Sequence, residues 1–569
     1  MSSQPSAQAE AGQFGLLIAA ALPPLLAYNQ TPAATLYNQL LALAGWGLAL
    51  LLCAGFTPGW RAGLKSPAAI ALALLLVAPM TSVAWRSLPL SLGLGSTAVI
   101  GAALAALLLA QGLSREARPW AAEALCWGLL VAGLMSVGVG LVQVFAPQWA
   151  DSTFIARSGI AGRAVGNLRQ PNHLASLMMW AAVAAVFITE KRGWRALLVP
   201  LLFAFVFTVV MSASRTGFIG IAMLAIWGVV DRSLSRSARL ALLATPLMLG
   251  LSWWLMSLWA AGGEHAFGAA SRLSEGAGSP SRLAILRDAW ALTMAHPLLG
   301  VSWGEFNVAW SLTPFPARPI AFFDHTHNLP SQLAVELGLP WAGAVLGLLC
   351  WALWKAWRGA LTANAGDEAP LRRAALMIVL TIGLHSLLEY PLWYAYFLLP
   401  ACFALGLALP AEAAASRPAS PAPWWVIGSL LIAGSAFALW DYHRIVDIYA
   451  PSRDAGPLDE RIATGQRSLL FSHQADYAAA TSLSPGPDAL AAARRTAFSL
   501  VDARLLMHWS RSLEATGDIE GARYVADRLR EFRNPTGDTW LSSCADAASA
   551  PAMPQCEPAA AVIDWRTLR

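Results

Sequence analysis

The stretch KRGWRALLVPLLFAFVFTVVMSASRTGFIGIAMLAIWGVVDRSLSR, Lys191 to Arg236, decides how the rest of the chain is read. It holds two apolar runs, 194–212 and 216–231. Each is close to the roughly 17 to 25 residues a helix needs to cross the hydrocarbon of a bilayer. Lys191, Arg192 and Arg195 flank one end of the pair, Arg232 and Arg236 the other, and SASRTG lies between the runs. Lys and Arg accumulate on the cytoplasmic side of membrane proteins. The turn that carries Arg215 is therefore expected on the opposite side.

The same pattern repeats along the 569 residues, of which 57% are hydrophobic and only 12% charged, against roughly 25% charged in an ordinary soluble domain. Apolar runs near 14–29, 36–56, 68–85, 91–112, 120–146, 173–189, 194–212, 216–231, 239–260, 328–354, 371–388, 392–409 and 423–440 predict an all-α polytopic membrane protein with about thirteen transmembrane helices. Basic loops carry Arg61 and Lys65, Arg115 and Arg118, the residues above with Arg239, then Lys355, Arg358, Arg372 and Arg373, and Arg417. They alternate with loops poor in Lys and Arg, so the N-terminus is expected inside and the tail 441–569 outside. The opening MSSQPSAQAEAGQ lacks the basic region of a cleaved signal peptide, so the first apolar run is expected to stay as a membrane helix. Three regions follow: N-terminal membrane helices over 1–150, a core over 151–440 with a long outer loop 261–327, and a soluble tail over 441–569.

The net charge of +5 is small and spread out, and no basic patch interleaved with aromatics points to nucleic acid. Cys53, Cys126, Cys350 and Cys402 lie in apolar runs and read as small buried residues. Cys544 and Cys556 lie in the polar tail, where an oxidising compartment would let them pair. In that tail LLMHWSRSLEATGDIEGARYVADRLREF, 505–532, reads as helix, turn, helix, either a plain hairpin or one repeat of the tetratricopeptide kind.

Almost every unusual polar motif falls on the outer side. FFDHTHNLPSQLAVELG, Phe322 to Gly338, sets Asp324, His325, His327 and Asn328 ahead of an apolar helix. Asn328 suits a helix cap. His327 is open to three readings: a structural contact, a general base that titrates near working pH, or, with Asp324 and His325, a metal ligand. No third strong ligand stands at a convincing spacing, and no zinc-type CxxC occurs. Arg215, like Arg163 and Arg169 in one outer loop and Arg272, Arg282 and Arg287 in another, suits phosphate oxygens or lipid headgroups. Gln170, Asn172 and His173 frame Pro171 at a helix start, which serves capping or hydrogen bonds to a polar substrate. Glu389 and Tyr390 precede Pro391, and Trp393, Tyr394 and Tyr396 follow as interfacial anchors or substrate contacts.

GNLRQPNHLA, SASRTG, RLAILRDAW…HPLLGVSWGEF, HTHNLPSQLAVELG and EYPLWYAYF together resemble the bacterial O-antigen ligase/polymerase superfamily. Within it they are most similar to the general protein O-oligosaccharyltransferases that glycosylate pilins. The resemblance covers roughly 150 to 550. It implies a GT-C-like ligase fold in the bacterial inner membrane, with the active site and tail in the periplasm, and metal-independent chemistry without a cofactor. The implied donor is a lipid-linked oligosaccharide, undecaprenyl-diphosphate oligosaccharide, and the acceptor a Ser or Thr of a pilin or other periplasmic protein. His327 matches the essential histidine, with Gln170 and Tyr390 as further catalytic residues. Arg215 and Arg282 match the positions that hold the donor phosphates. Asn172, His173, His325, Asn328, Arg163, Glu389 and Tyr394 are the remaining candidates for substrate binding. A lipopolysaccharide O-antigen ligase or a polysaccharide polymerase would use the same donor. A transporter or flippase would carry its charges within the helices, whereas here they cluster in outer loops.

Overall fold

The computed structural model describes residues 6–263, 265–270, 280–362, 368–410, 419–549 and 553–569; Arg272 and Arg417 lie outside them. The described residues are helical with no strand. Each of the apolar runs coincides with a helix. Eight helices are long and apolar enough to cross a membrane, and the bent pair Arg236–Leu243 and Thr245–Ala261 makes up to nine. The other four differ for visible reasons. Arg215–Val230 and Ala395–Ala408 are shorter. Ala7–Leu25 opens with the polar Gln8, Glu10 and Gln13, and Glu368–Ser386 carries Glu368, Arg372 and Arg373.

The chain folds into two compact units. The first comprises 1–73, 101–277 and 348–437; the second comprises 74–100, 278–347 and 438–569.

At the centre of the first unit runs the helix Pro171–Arg192, with 94% of its apolar window buried. Its alanines allow this. Gly133 on the helix Ala117–Phe145 approaches so closely that an added Cβ would lie 2.3 Å from the Ala181 methyl. Small residues take this role in membranes because lipid gives helices no hydrophobic reason to associate, so close packing must hold them. The helix Ala422–Tyr449, by contrast, buries only 22% of its window, so its apolar side chains face outward.

Ion pairs gather the basic loops at one end of this unit. Glu123 pairs with Lys191 and Arg192, Glu190 pairs with Arg195 and accepts from Ser235, and Asp231 pairs with Arg373. The helix starts at Pro171 and Arg215 lie at the other end, because the intervening helices Pro171–Arg192, Arg195–Ser212 and Arg215–Val230 run up and down.

The second unit contains the tail, built from successive helix pairs: Ser472–Ser482 with Pro487–Thr496, then Ala503–Ala515 with Ile519–Phe532. The last pair is the hairpin expected from sequence. Asp502 and Asp518 cap its helices, Gly517 turns between them at φ 89°, and Leu505, Trp509, Leu513, Val525 and Leu529 form its core. Cys544 and Cys556 are joined as a disulfide. The segment that follows lies along the helix Ile519–Phe532, with Asp527 accepting from the Ala559 N–H and Glu520 from the Ala560 N–H.

A second feature of this unit explains two glycine motifs. The helix from Leu329 breaks at Gly338, with φ 76° and ψ 164°. The loop 297–304 lies against the break: Val301 N–H donates to Val335 O at 2.8 Å, Ser302 N–H to Glu336 O at 3.0 Å, and Leu339 N–H to Pro297 O at 2.8 Å. A Cβ at Gly338 would meet Leu298 O at 2.4 Å, and one at Gly300 would meet Glu336 O at 2.5 Å. Both positions therefore require glycine.

Candidate active site

In the first unit three motifs close on one another. Pro171 opens its helix, where the missing N–H costs nothing, and the Gln170 side chain caps it by accepting from His173 N–H at 2.7 Å. Asn172 then bridges the other two motifs. Its Nδ2 donates to Glu389 Oε1 at 2.9 Å, and its Oδ1 accepts from the Ser214 hydroxyl at 2.7 Å. Ser214 is itself the cap of the helix that begins with Arg215, accepting from Gly217 N–H at 3.1 Å. The cap leaves half-buried Arg215 at the positive end of that helix, a place suited to an anion. Buried Arg163 donates from Nε and Nη2 to Ser212 O at 3.0 and 2.9 Å, which ties its loop to the end of the preceding helix.

His173 lies beneath this cluster, 3% exposed. Its Nδ1 is 3.2 Å from the Tyr396 hydroxyl, and Tyr394 meets its ring edge-on at 4.5 Å. Tyr390 stacks on Tyr394 at 6.2 Å. His173 thus supports the tyrosines from below, and the half-buried Tyr390 and Tyr394 rise above it. Arg169, the other arginine of this loop, binds the Ala27 carbonyl and Asn29 Oδ1.

In the second unit the HTHN turn is tied at its middle. Buried Thr326 donates its N–H to Gln332 Oε1 at 2.8 Å, and its hydroxyl donates to Asn328 O at 2.9 Å. Asn328 caps the helix through Ser331 N–H at 3.0 Å. His325 and His327 flank Thr326. His325 Nδ1 is 3.0 Å from Asp324 Oδ1. Desolvation works against ionisation of Asp324, but His325 and the hydrogen bond between them hold its carboxyl below the usual range. His327 is half-buried, meets Phe323 edge-on at 5.1 Å, and has φ 56°. A left-handed backbone is uncommon outside glycine, and such residues concentrate at functional sites. Half-buried Arg282 sits in the first turn of the helix Pro280–Ala295.

Sequence reasoning passed over Thr326, Gln332, Ser214 and the Tyr396–His173 pair as working parts. The signal for Gln332 was present: it stands one helical turn beyond Asn328, with its side chain returned to the turn. Glu305 was also missed. It is fully buried and paired with Arg569 at 2.5 Å; burial raises its carboxyl above the usual range, and Arg569 opposes that shift. Among the described residues no group of three or more His, Cys, Asp or Glu is placed to hold a metal ion.

Comparison with known proteins meets these elements one by one. A family model described as protein glycosylation ligase matches residues 164–188, the segment of Gln170, Asn172 and His173. One described as O-antigen ligase matches 200–352, from the Arg215 cap through the HTHN turn. One described as the C-terminal part of a virulence factor membrane-bound polymerase matches 373–535, from the Glu389 motif into the tail. A general O-oligosaccharyltransferase of Acinetobacter baylyi (strain ATCC 33305 / BD413 / ADP1) is 26% identical over 295 residues, 48% of this chain and 49% of that protein. A ComP-specific O-oligosaccharyltransferase of the same strain is 24% identical over 294 residues, 50% of each. The chain spans about half the length of the curated relatives it matches. The resemblance to O-antigen ligases and protein O-oligosaccharyltransferases carried by the motifs is borne out.

Proposed function

We propose that this chain is a membrane glycosyltransferase that moves an oligosaccharide en bloc from undecaprenyl diphosphate to a Ser or Thr hydroxyl of a periplasmic protein such as a pilin. The observation that carries a protein acceptor is the match of 164–188 to protein glycosylation ligases, the segment whose Gln170 caps the helix start and whose Asn172 builds the knot with Ser214 and Glu389. The clustering of basic loops at one end of the first unit supports an inner-membrane orientation with the motifs outside. A disulfide in the tail suits an oxidising periplasm.

In this reading His327 takes the proton from the acceptor hydroxyl as its oxygen attacks the anomeric carbon. The bond from that carbon to the diphosphate breaks, undecaprenyl diphosphate leaves, and the proton later passes from His327 to water. Arg215, at its helix start, and Arg282 stabilise the charge that develops on the phosphates, the kind of interaction that contributes most in such transfers. Gln170 Nε2 and Tyr390 orient the sugar. A single displacement inverts the anomeric centre.

The test is co-expression with a lipid-linked glycan pathway and a candidate pilin, in cells lacking their own O-antigen ligase. Intact-protein mass spectrometry reads the pilin, and glycan blotting reads the lipopolysaccharide. A glycan mass on the pilin, lost in His327→Ala, is expected. Glycan on lipid A–core with unmodified pilin would move the protein to the O-antigen ligases.

A further inference from the structure

The tail is the part of the chain that the transfer chemistry does not use, and its helix Ile519–Phe532 ends in the second unit's aromatic core. Phe532 is fully buried and stacks on Phe322 at 3.8 Å, with the rings 20° apart. It also meets Trp310 edge-on at 5.5 Å. Trp310 contacts Phe323 at 5.9 Å, and Phe323 contacts His327 at 5.1 Å. Trp310 Nε1 donates to Asp288 Oδ2 at 3.3 Å, on the helix that carries Arg282.

The polar contacts around this core fix the tail helix in place. Buried Arg318 lies over the Phe532 ring at 4.5 Å and the Trp310 ring at 4.9 Å, and pairs with Glu531 at 3.2 Å. Tyr524 OH donates to Leu312 O at 2.8 Å, and Phe315 N–H donates to Glu531 Oε2 at 3.2 Å. One tail helix therefore touches Phe322, a few residues ahead of the HTHN turn, and Trp310, which contacts Phe323 and bonds the helix that carries Arg282.

We propose that the helix Ile519–Phe532 is a positioning element of the transfer reaction, acting through Phe532 and Phe322 to hold the His327 turn in its left-handed conformation. Ring packing suits this task. A left-handed histidine relaxes unless its surroundings over-determine it, and rings 3.8 Å apart leave the segment before it little room to shift. A displacement of about 1 Å at a catalytic group costs up to about a hundredfold in rate. On this view the tail is not a separable acceptor clamp. The inference rests on the proposed role of His327.

The experiment uses the full chain in detergent or nanodiscs, with a lipid-linked oligosaccharide donor. It measures kcat and KM for two acceptors, a folded pilin and a short Ser-containing peptide. Phe532→Ala and Phe322→Ala are expected to lower kcat about ten- to a hundredfold on both acceptors, with acceptor KM unchanged. Phe322→Tyr, which keeps the ring at a half-buried position, is expected to retain the rate. If Phe532→Ala fails to fold, the Phe322→Ala and Phe322→Tyr pair decides alone. A raised acceptor KM with unchanged kcat would overturn the proposal and make the tail an acceptor clamp. Unchanged kcat in folded Phe322→Ala would overturn it outright. If the glycan goes to lipid A–core instead of protein, the same kcat losses on that acceptor would sustain positioning while the protein-acceptor reading fails.

Discussion

At the start of the helix Pro171–Arg192 polar side chains are satisfied by one another; at the turn before Leu329 it is the backbone that is held in an unfavourable conformation. Asn172 spends its amide on Glu389 and Ser214, and each helix end is capped from its own sequence neighbours. His327, at φ 56°, costs roughly 1–2 kcal/mol of backbone energy. Thr326, Gln332 and Asn328 tie the turn, and Phe323 closes one side of its ring. Placing a side chain at a helix start needs only local sequence. Holding a histidine left-handed needs a packed surround as well.

The largest expected effect separates strain from chemistry in the turn. Asparagine tolerates the left-handed region, so His327→Asn is expected to fold with an unchanged apparent melting temperature. Its transfer rate is expected to fall about a thousandfold, within the range ascribed to a positioned base. Near wild-type initial rates in that variant would remove His327 from the reaction.

Next is the helix break beneath the turn. Gly338→Ala combines a positive φ with a Cβ 2.4 Å from Leu298 O, and is expected to destabilise the second unit by roughly 3 kcal/mol. Limited proteolysis across 297–339 reads this; wild-type resistance would show that the break is not held as described.

Acid is expected to weaken the second unit through His473. Burial lowers its pKa from 6.5 to about 4, and its Nδ1 faces Ser91 Oγ at 3.1 Å. The unfolded chain takes up this proton as pH falls below about 6.5, whereas the folded chain does so only near 4. Stability is therefore full above 6.5 and is lost progressively down to about 4, by roughly 3 kcal/mol. His473→Gln is expected to flatten melting temperature against pH in that window; an unchanged slope would assign the acid sensitivity to other groups.

The smallest effect belongs to the knot. Asn172→Ala leaves buried Glu389 and Ser214 each short of a partner, at roughly 1–3 kcal/mol. A melting shift of a few degrees with a rate loss nearer tenfold is expected. A loss as deep as that of His327→Asn would erase the distinction between the two regions.

Much of this was legible in the chain. Apolar length located each membrane-associated helix, because a run of that composition forms a helix wherever it is buried or lipid-covered. Pro171 and Asn328 announced helix starts, and Gly517 announced the tail hairpin, because caps and turns depend on residues a few positions apart. What the sequence by itself left open was every partnership across long separations: Asn172 with Glu389, Gly338 with Leu298, and Phe532 with Phe322. Those were decided by the tertiary structure, because rings and carbonyls distant in sequence carry no local periodicity. Their meeting depends on the packing of whole helices, which residues a few positions apart do not encode.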